Sequence, residues 1–195
     1  MAAGARDKTA PGELALVQQL VNTSYGQDQR AHRELTTPDE LQRWLVGRGL
    51  LGAGAPVTAG DLRRTVALRE ALRALLQAHT YGEAPPAEAV ATLNLVGTHA
   101  PLVARFGEDG AADLAPDIGG VDGALARLLG IVVRAMLDGS WPRLKACAHA
   151  RCASAFYDTS KNASGKWCAM AKCGNRLNAR AYRRRKRPEP ARSDG

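Results

Sequence analysis

The chain has 195 residues, enough for one domain or two, with 45% hydrophobic and 24% charged residues. It can therefore bury a real core, and no apolar run approaches the ~20 residues that a membrane helix needs. Charge is uneven: from Arg143 onward 14 Lys/Arg face 3 Asp/Glu, a net of +11, whereas residues 1–142 carry 13 against 16, a net of −3. A near-neutral body carrying a basic device for a polyanion is the reading this asymmetry favours.

Residues 1–10 are small and polar and read as a flexible start without the apolar stretch of a signal peptide, which predicts a cytoplasmic protein. Leu14, Leu16, Val17, Leu20 and Val21 have helical spacing, ended by Asn22-Thr23-Ser24. Thr37-Pro38-Asp39-Glu40 is a helix start with an N-cap, a proline at the first helical position and a capping-box glutamate. Leu41, Trp44 and Leu45 line its apolar face, and the glycines from Gly47 onward stop it. Thr58-Ala-Gly-Asp61 opens the longest helix, about residues 59–80. Leu62, Val66, Leu68, Leu72, Leu75 and Leu76 are expected in its core face, with Arg63, Arg64, Arg69, Glu70 and Arg73 toward water. Pro85-Pro86 starts a further helix, with Val90, Leu93, Leu95 and Val96 expected to be buried. The alternation through Leu102, Ala104 and Phe106, a Gly107-Glu-Asp-Gly110 turn, and Ala112 and Leu114 predict a β-hairpin. Residues 121–138 form a strongly apolar helix, including Val133, Met136 and Leu137, expected at the centre of the bundle. Composition, charge and cysteine content all change at Gly139-Ser-Trp-Pro142, which sets the predicted domain boundary.

All four cysteines lie beyond it, as Cys147-x4-Cys152-x15-Cys168-x4-Cys173. Two close pairs joined by a loop suit a tetrahedral thiolate site, and a segment this small needs a metal to fold. One structural zinc ion is expected. Two disulfides are disfavoured in a chain with no export signal, and the shorter spacings usual for iron–sulfur ligands are absent. Redox use of the same cysteines stays open. Residues five apart on a helix are ~140° out of phase at ~100° per residue, so a turn must separate Cys168 from Cys173, with Gly174 placed to let the backbone bend. His149 reads as a surface or supporting residue, and Phe156 and Trp167 as a small core. Asp158, Thr159, Ser160 and Asn162 are expected to organise the loop through turn and capping hydrogen bonds.

After Gly174, Asn175-Arg-Leu-Asn-Ala-Arg-Ala-Tyr-Arg-Arg-Arg-Lys-Arg187 lacks a helix breaker until Pro188. In a helix, Arg176, Arg180, Arg183, Arg184 and Arg187 form one guanidinium stripe suited to phosphate oxygens and guanine edges, with Asn175 able to offer an amide. No Gly-rich phosphate loop, His-x-x-x-His or nucleophile elbow occurs, and a closed four-cysteine site offers no open metal position, so an enzyme is not expected.

At Cys147 to Cys152, Phe156-Tyr-Asp-Thr-Ser-Lys-Asn162, Trp167-Cys-Ala-Met170 and Cys173-Gly-Asn-Arg176 the sequence resembles the CGNR zinc-finger family. Leu20-Val-Asn-Thr23, Leu41-x-x-Trp44-Leu45, Asp61-Leu62, Leu68-Arg-Glu-Ala-Leu-Arg73 and Leu93-Asn94 resemble the ABATE domain that accompanies this finger in bacterial proteins linked to stress-responsive transcription. The chain departs from the family in having Gln19-Leu20 where an acidic residue and an aromatic are common, and a less basic Ala163-Ser-Gly-Lys166. The resemblance implies a mainly α fold: an N-terminal helical bundle with one small β-hairpin (11–140), a four-cysteine finger of short hairpin and turns followed by a basic helix (143–187), and a disordered tail (188–195). It implies a DNA-binding transcription regulator without membrane contact, whose bundle senses a small-molecule effector or forms a homodimer. Asn22, Trp44, Arg69 and Asn94 match its pattern; they are expected first to satisfy helix ends and second to line a pocket. The alternative is a zinc-stabilised adaptor for RNA or protein.

Overall fold

The computed structural model of the chain describes residues 8–25, 32–149 and 151–175. Helix α1 (Leu14–Val21) is followed by a two-residue ladder of β1 (Ser24–Tyr25) with β2 (His32–Arg33), then α2 (Pro38–Val46) and the long α3 (Ala59–Tyr81). Next come α4 (Ala87–His99), the antiparallel hairpin of β3 (Leu102–Phe106) and β4 (Ala112–Pro116), and α5 (Gly120–Leu137). A short 3-10 turn leads into a second hairpin, β5 (Leu144–Ala146) with β6 (Ala155–Tyr157), and the described chain ends near a π-helical turn at Met170–Gly174. Among the described residues no helix is long and apolar enough to cross a membrane.

The capping signals are realised. Thr37 accepts from the Glu40 N–H while the Glu40 carboxylate takes the Thr37 N–H, and Thr58 and Asp61 make the same reciprocal pair at the head of α3. α3 ends at Gly82, whose φ of 70° is the left-handed cap that glycine adopts at little cost. Hairpin β3–β4 sits on α5, where Leu102 lies close to Gly130.

Several burial expectations are corrected. Val90 and Leu95 of α4 are exposed, and only Ala89 and Val96 of that helix are buried. Val133, Met136 and Leu137 are also exposed, because α5 buries only part of its circumference and these residues share the outer side with Arg127 and Arg134. The ladder of β1 with β2 is a second, two-residue strand pair beside the expected hairpin.

The largest correction concerns α3, where Arg69 and Arg73 are buried rather than turned to water. Arg69 reaches Glu70 at 2.8 Å and the Thr23 hydroxyl at 3.3 Å. Arg73 donates to the carbonyls of Val21 (2.7 Å), Ser24 and Ala153 (2.8 Å), with Glu70 at 3.0 Å as its counter-ion. Those carbonyls close the C-terminal end of α1 and begin the second strand of the cysteine-bearing segment, so one side chain ties both.

The main core also runs past the compositional break. Trp141, Leu144, Ala146 and Ala155 belong to the same buried cluster as the leucines of α1, α3 and α5. The last turn of α3 bonds alternate carbonyls of β5 and the turn after it: His79 Nδ1 bonds the Leu144 carbonyl (2.9 Å), Thr80 the Ala146 carbonyl (2.6 Å) and Tyr81 the Ala148 carbonyl (3.3 Å). A carbonyl only accepts, so Nδ1 carries the proton. Burial, reinforced by the Lys145 charge, lowers the His79 pKa and keeps the ring neutral.

Arg73→Leu tests this joint. It strips charged donors from three carbonyls, each worth roughly 1.5–3 kcal/mol when made, and the expected loss is about 2–4 kcal/mol in urea unfolding. A change within about 0.5 kcal/mol, the range of ordinary surface substitutions, would show that Arg73 ties nothing.

Candidate metal centre

The hairpin β5–β6 is a plate with two faces, set by the two-residue period of a strand. Leu144 and Ala146 on β5, and Ala155 and Tyr157 on β6, turn toward the helical core. Phe156 turns the other way and joins Cys147, Cys173, Cys152, Trp167 and Cys168 in a second, smaller cluster. Lys145, also buried, anchors the loop on that side.

Each cysteine pair is held by its own turn. Cys147 directly follows β5, its N–H bonded to the Ser154 carbonyl at 2.9 Å, and the chain then folds back so that the Cys152 N–H reaches the His149 carbonyl at 2.7 Å. Ala153 closes the turn at φ 53°. The second pair is split by an extended residue, Ala169, before the wide turn at Met170–Gly174 brings Cys173 round. A turn does separate the pair, but Gly174 is there for close approach: a Cβ would lie 2.2 Å from Met170 Sδ and 3.1 Å from Trp167 Cδ1. The two halves are joined by the Ala148 N–H to the Lys166 carbonyl at 2.9 Å.

The four sulfurs all lie within 4.8 Å of one another, and Cys152–Cys168 and Cys168–Cys173 are each 3.7 Å apart. All four cysteines are free thiols. A tetrahedron with metal–sulfur bonds of ~2.3 Å has edges of about 3.8 Å, so the set fits a thiolate-bound divalent metal such as zinc. Without a cation, sulfurs this close cannot all ionise. Hydrogen bonding to Cys152 and Cys168, with burial, pushes the Cys147 thiol up, and burial with the charges of Cys152 and Cys168 pushes Cys173 up to about 12. Hydrogen bonds from Cys147 and Cys168 hold Cys152 well below the usual thiol range, helped by the Ser154 hydroxyl at 3.2 Å. A central dication would resolve that conflict by supplying the counter-charge.

A buried ion pair fixes the connecting loop. Lys145 Nζ lies 3.0 Å from Asp158 Oδ2 and also donates to the carbonyls of Ala163 and Gly165 (3.3 Å). Asp158, 1% exposed, accepts from the Ser160 N–H (3.0 Å) and the Gly165 N–H (2.7 Å). A Cβ on Gly165 would meet Asp158 Oδ1 at 2.6 Å, so only glycine lets the loop close there. Burial alone would raise the Asp158 pKa, but the bonds from Ser160, Lys145 and Gly165 outweigh it and bring it to about 2.

The structure brings the four cysteines together with Asn22, which caps α1 and lines the same groove as Cys152, Cys168 and Cys173, and leaves Trp44, Arg69 and Asn94 apart from them. Asn22 clamps Ala155, accepting its N–H at 2.7 Å and donating to its carbonyl at 3.0 Å. Trp44 is buried under the Arg48 guanidinium (4.1 Å) and lines a 320 Å³ recess with Arg33 and Glu34. Arg69 is buried against Thr23, and Asn94 is exposed on α4. Asn175 is exposed just after the last turn, and Arg176, Arg180, Arg183, Arg184 and Arg187 lie outside the described residues. Sequence reasoning missed Arg73, Lys145, Gln18 and Lys8. Gln18 donates to the Ala155 carbonyl (3.2 Å), and Lys8 donates to the Trp167 carbonyl while lying 4.6 Å over the Phe156 ring. Nothing in their spacing sets these long polar side chains apart from solvated ones.

Asp158→Asn leaves Lys145 buried and unpaired, an error worth roughly 3–5 kcal/mol. The expected readout is faster loss of metal to a chelator, and metal retention equal to the parent protein would show that the pair does not hold the loop. The sign follows from the lowered pKa. The contribution of Asp158 is complete above the unfolded value near 4 and fades as pH falls toward about 2, so the variant should lack this part of the acid limb.

The geometry agrees with the comparisons. A family model named ABATE, described as "Putative stress-induced transcription regulator", matches residues 14–140, and the CGNR zinc-finger model matches residues 143–186. No match was found among curated proteins. With a body whose helices support the finger and four sulfurs in the finger's metal-binding arrangement, the chain belongs to the ABATE family and carries a C-terminal CGNR zinc finger.

Proposed function

We propose that the protein is a cytoplasmic, zinc-dependent DNA-binding transcription regulator, with the helical body as its regulatory part and the finger as its DNA-contacting part. The observation that carries the reading is one of position. The last sulfur ligand, Cys173, lies two residues before Asn175, where a segment with seven basic residues in 176–187 begins. The turn bearing that cysteine packs with Phe156 and Trp167, and the hairpin holding Phe156 rests on the body. The zinc is structural in this reading: four thiolates close the coordination sphere, and its job is to fix the start of the arginine run. Arginine forks pair with phosphate oxygens, which makes the affinity electrostatic and dependent on salt.

Metal analysis of protein purified under reducing conditions should give one zinc per chain, and less than half an equivalent would sink the metal assignment. Fluorescence anisotropy against duplex DNA and against RNA, over a range of salt, tests the partner. Each phosphate contact contributes about −0.9 to the slope of log K against log salt on duplex DNA, so five arginines predict a slope of roughly −4 to −5. Changing Arg180 and Arg184 to Ala should flatten the slope by about 2 with the metal retained. No duplex binding at low salt, or tighter binding to RNA throughout, would overturn the DNA reading in favour of an adaptor.

A further inference from the structure

The metal centre has a closed side and an open side. Cys147 is 3% exposed and packs with Phe156, itself 1% exposed, whereas Cys152 and Cys168 are half-buried. Next to that open side lies a groove of about 540 Å³ between the body and the finger. Cys152, Cys168 and Cys173 line it, and Cys147 does not. Its lining also includes Gln19 of α1 and the stacked rings of Tyr25 and His32, 5.0 Å apart, together with Arg48, Lys172 and the Glu34 carboxylate that pairs with His32. The groove is far larger than water or a hydroperoxide, and three of the four cysteines border it while Cys147 does not.

Reactivity differs among the three. Cys173 is 9% exposed, and Cys152 shares its sulfur with the Ser154 hydroxyl at 3.2 Å. Cys168 is half-buried, has no such hydroxyl partner among the described residues, and sits 3.7 Å from Cys152. A thiolate reached by solvent is the nucleophile in thiol oxidation, and a second sulfur in contact is its resolving partner.

We propose that Cys168 and Cys152 form an oxidation site for small hydroperoxides that enter through this groove, with Cys147 shielded. The Cys168 thiolate attacks the peroxide, the O–O bond breaks, a sulfenic acid forms on Cys168, and the departing hydroxide takes a proton to become water. The Cys152 thiolate then attacks the Cys168 sulfur. An S–S bond forms, the S–O bond breaks, and the second hydroxide leaves as water with another proton. Two thiolates lose two electrons and one hydrogen peroxide is reduced to two waters. A disulfide is ~2.05 Å long, so each sulfur has to move by less than about 1 Å. Neither sulfur is then a thiolate ligand, only Cys147 and Cys173 remain, and the turn leading to the arginine run loses its anchor.

The inference rests on the metal-centre reading but not on DNA binding. The full chain, purified reduced and assayed for metal first, is treated with hydrogen peroxide, and aliquots are alkylated and mapped by mass spectrometry while a chromogenic chelator follows released zinc. The first disulfide should be Cys152–Cys168, with Cys147 still alkylated as a free thiol and zinc appearing at the same rate. Gln19→Trp narrows the groove at an exposed position of α1 and should slow both signals several-fold without changing the circular dichroism or the starting metal content. The proposal is overturned if Cys147 enters the first disulfide, if zinc stays bound under excess peroxide, or if Gln19→Trp leaves the rate unchanged. Protein that arrives without metal would refute the metal reading and this inference with it, whereas a first disulfide through Cys147 in metal-loaded protein would refute this inference alone.

Discussion

Four hydrogen bonds from the helical body meet the backbone at Ala153 and Ala155. Arg73 takes the Ala153 carbonyl, Gln18 and Asn22 share the Ala155 carbonyl, and the Asn22 amide oxygen takes the Ala155 N–H. Because strand side chains alternate faces, pinning this backbone decides which residues face where. Ala155 and Tyr157 go to the body, and Phe156 goes to the sulfurs. A slip of one residue would drive the Phe156 ring into the leucine core and remove the packing behind Cys147 and Cys173. The polar clamp and the apolar alternation therefore specify the same register. Each polar side chain in it finds a backbone partner, which is what makes a buried polar cluster specify a structure rather than weaken it.

Lys145 and Asp158 do for the loop what Arg73 does for the strand. A buried ion pair is a poor source of net stability, since desolvation offsets most of the attraction. Here both ends are satisfied beyond the pair itself, Lys145 by two carbonyls and Asp158 by two N–H groups. The pair thereby fixes Ala163 at φ 47° and Gly165 against the carboxylate, and so determines where Trp167 and Cys168 arrive. A metal held by the four sulfurs would join the two halves that the strand clamp and this ion pair position.

The legible parts of the sequence were those governed by local rules. Capping boxes at Thr37 and Thr58 and the hairpin after Leu102 depend on neighbours a few residues away, and the spacing of the cysteines encodes the bite of each turn. The four sulfurs meet as that spacing implied. What periodicity could not express was long-range polar contact. Arg69 and Arg73 occupy positions on α3 that read as the wet face, and they are dry because the end of α1 and the Ala153 turn cover them. Val90, Leu95 and Leu137 err the other way: apolar residues at plausible core phase that no neighbouring element reaches. Phase along a helix says which residues share a face, not whether another element covers it.

The break in composition at residues 139–142 therefore divides chemistry rather than packing. Leu144, Ala146 and Ala155 complete the leucine core from beyond it, and Lys8, from before it, lies over Phe156 and bonds the Trp167 carbonyl. The charge excess of the last quarter divides in the same way. Lys145 is committed inward, and Arg143 bonds the carbonyls of Asp158 and Ser160 at 3.0 and 2.9 Å. Those cations hold the finger together and are not free for a polyanion. The density of charge left for an outside partner is greatest in 176–187, directly after the last sulfur. That point is anchored to the body through β5–β6, the same short plate that Arg73 and Asn22 hold from the helices.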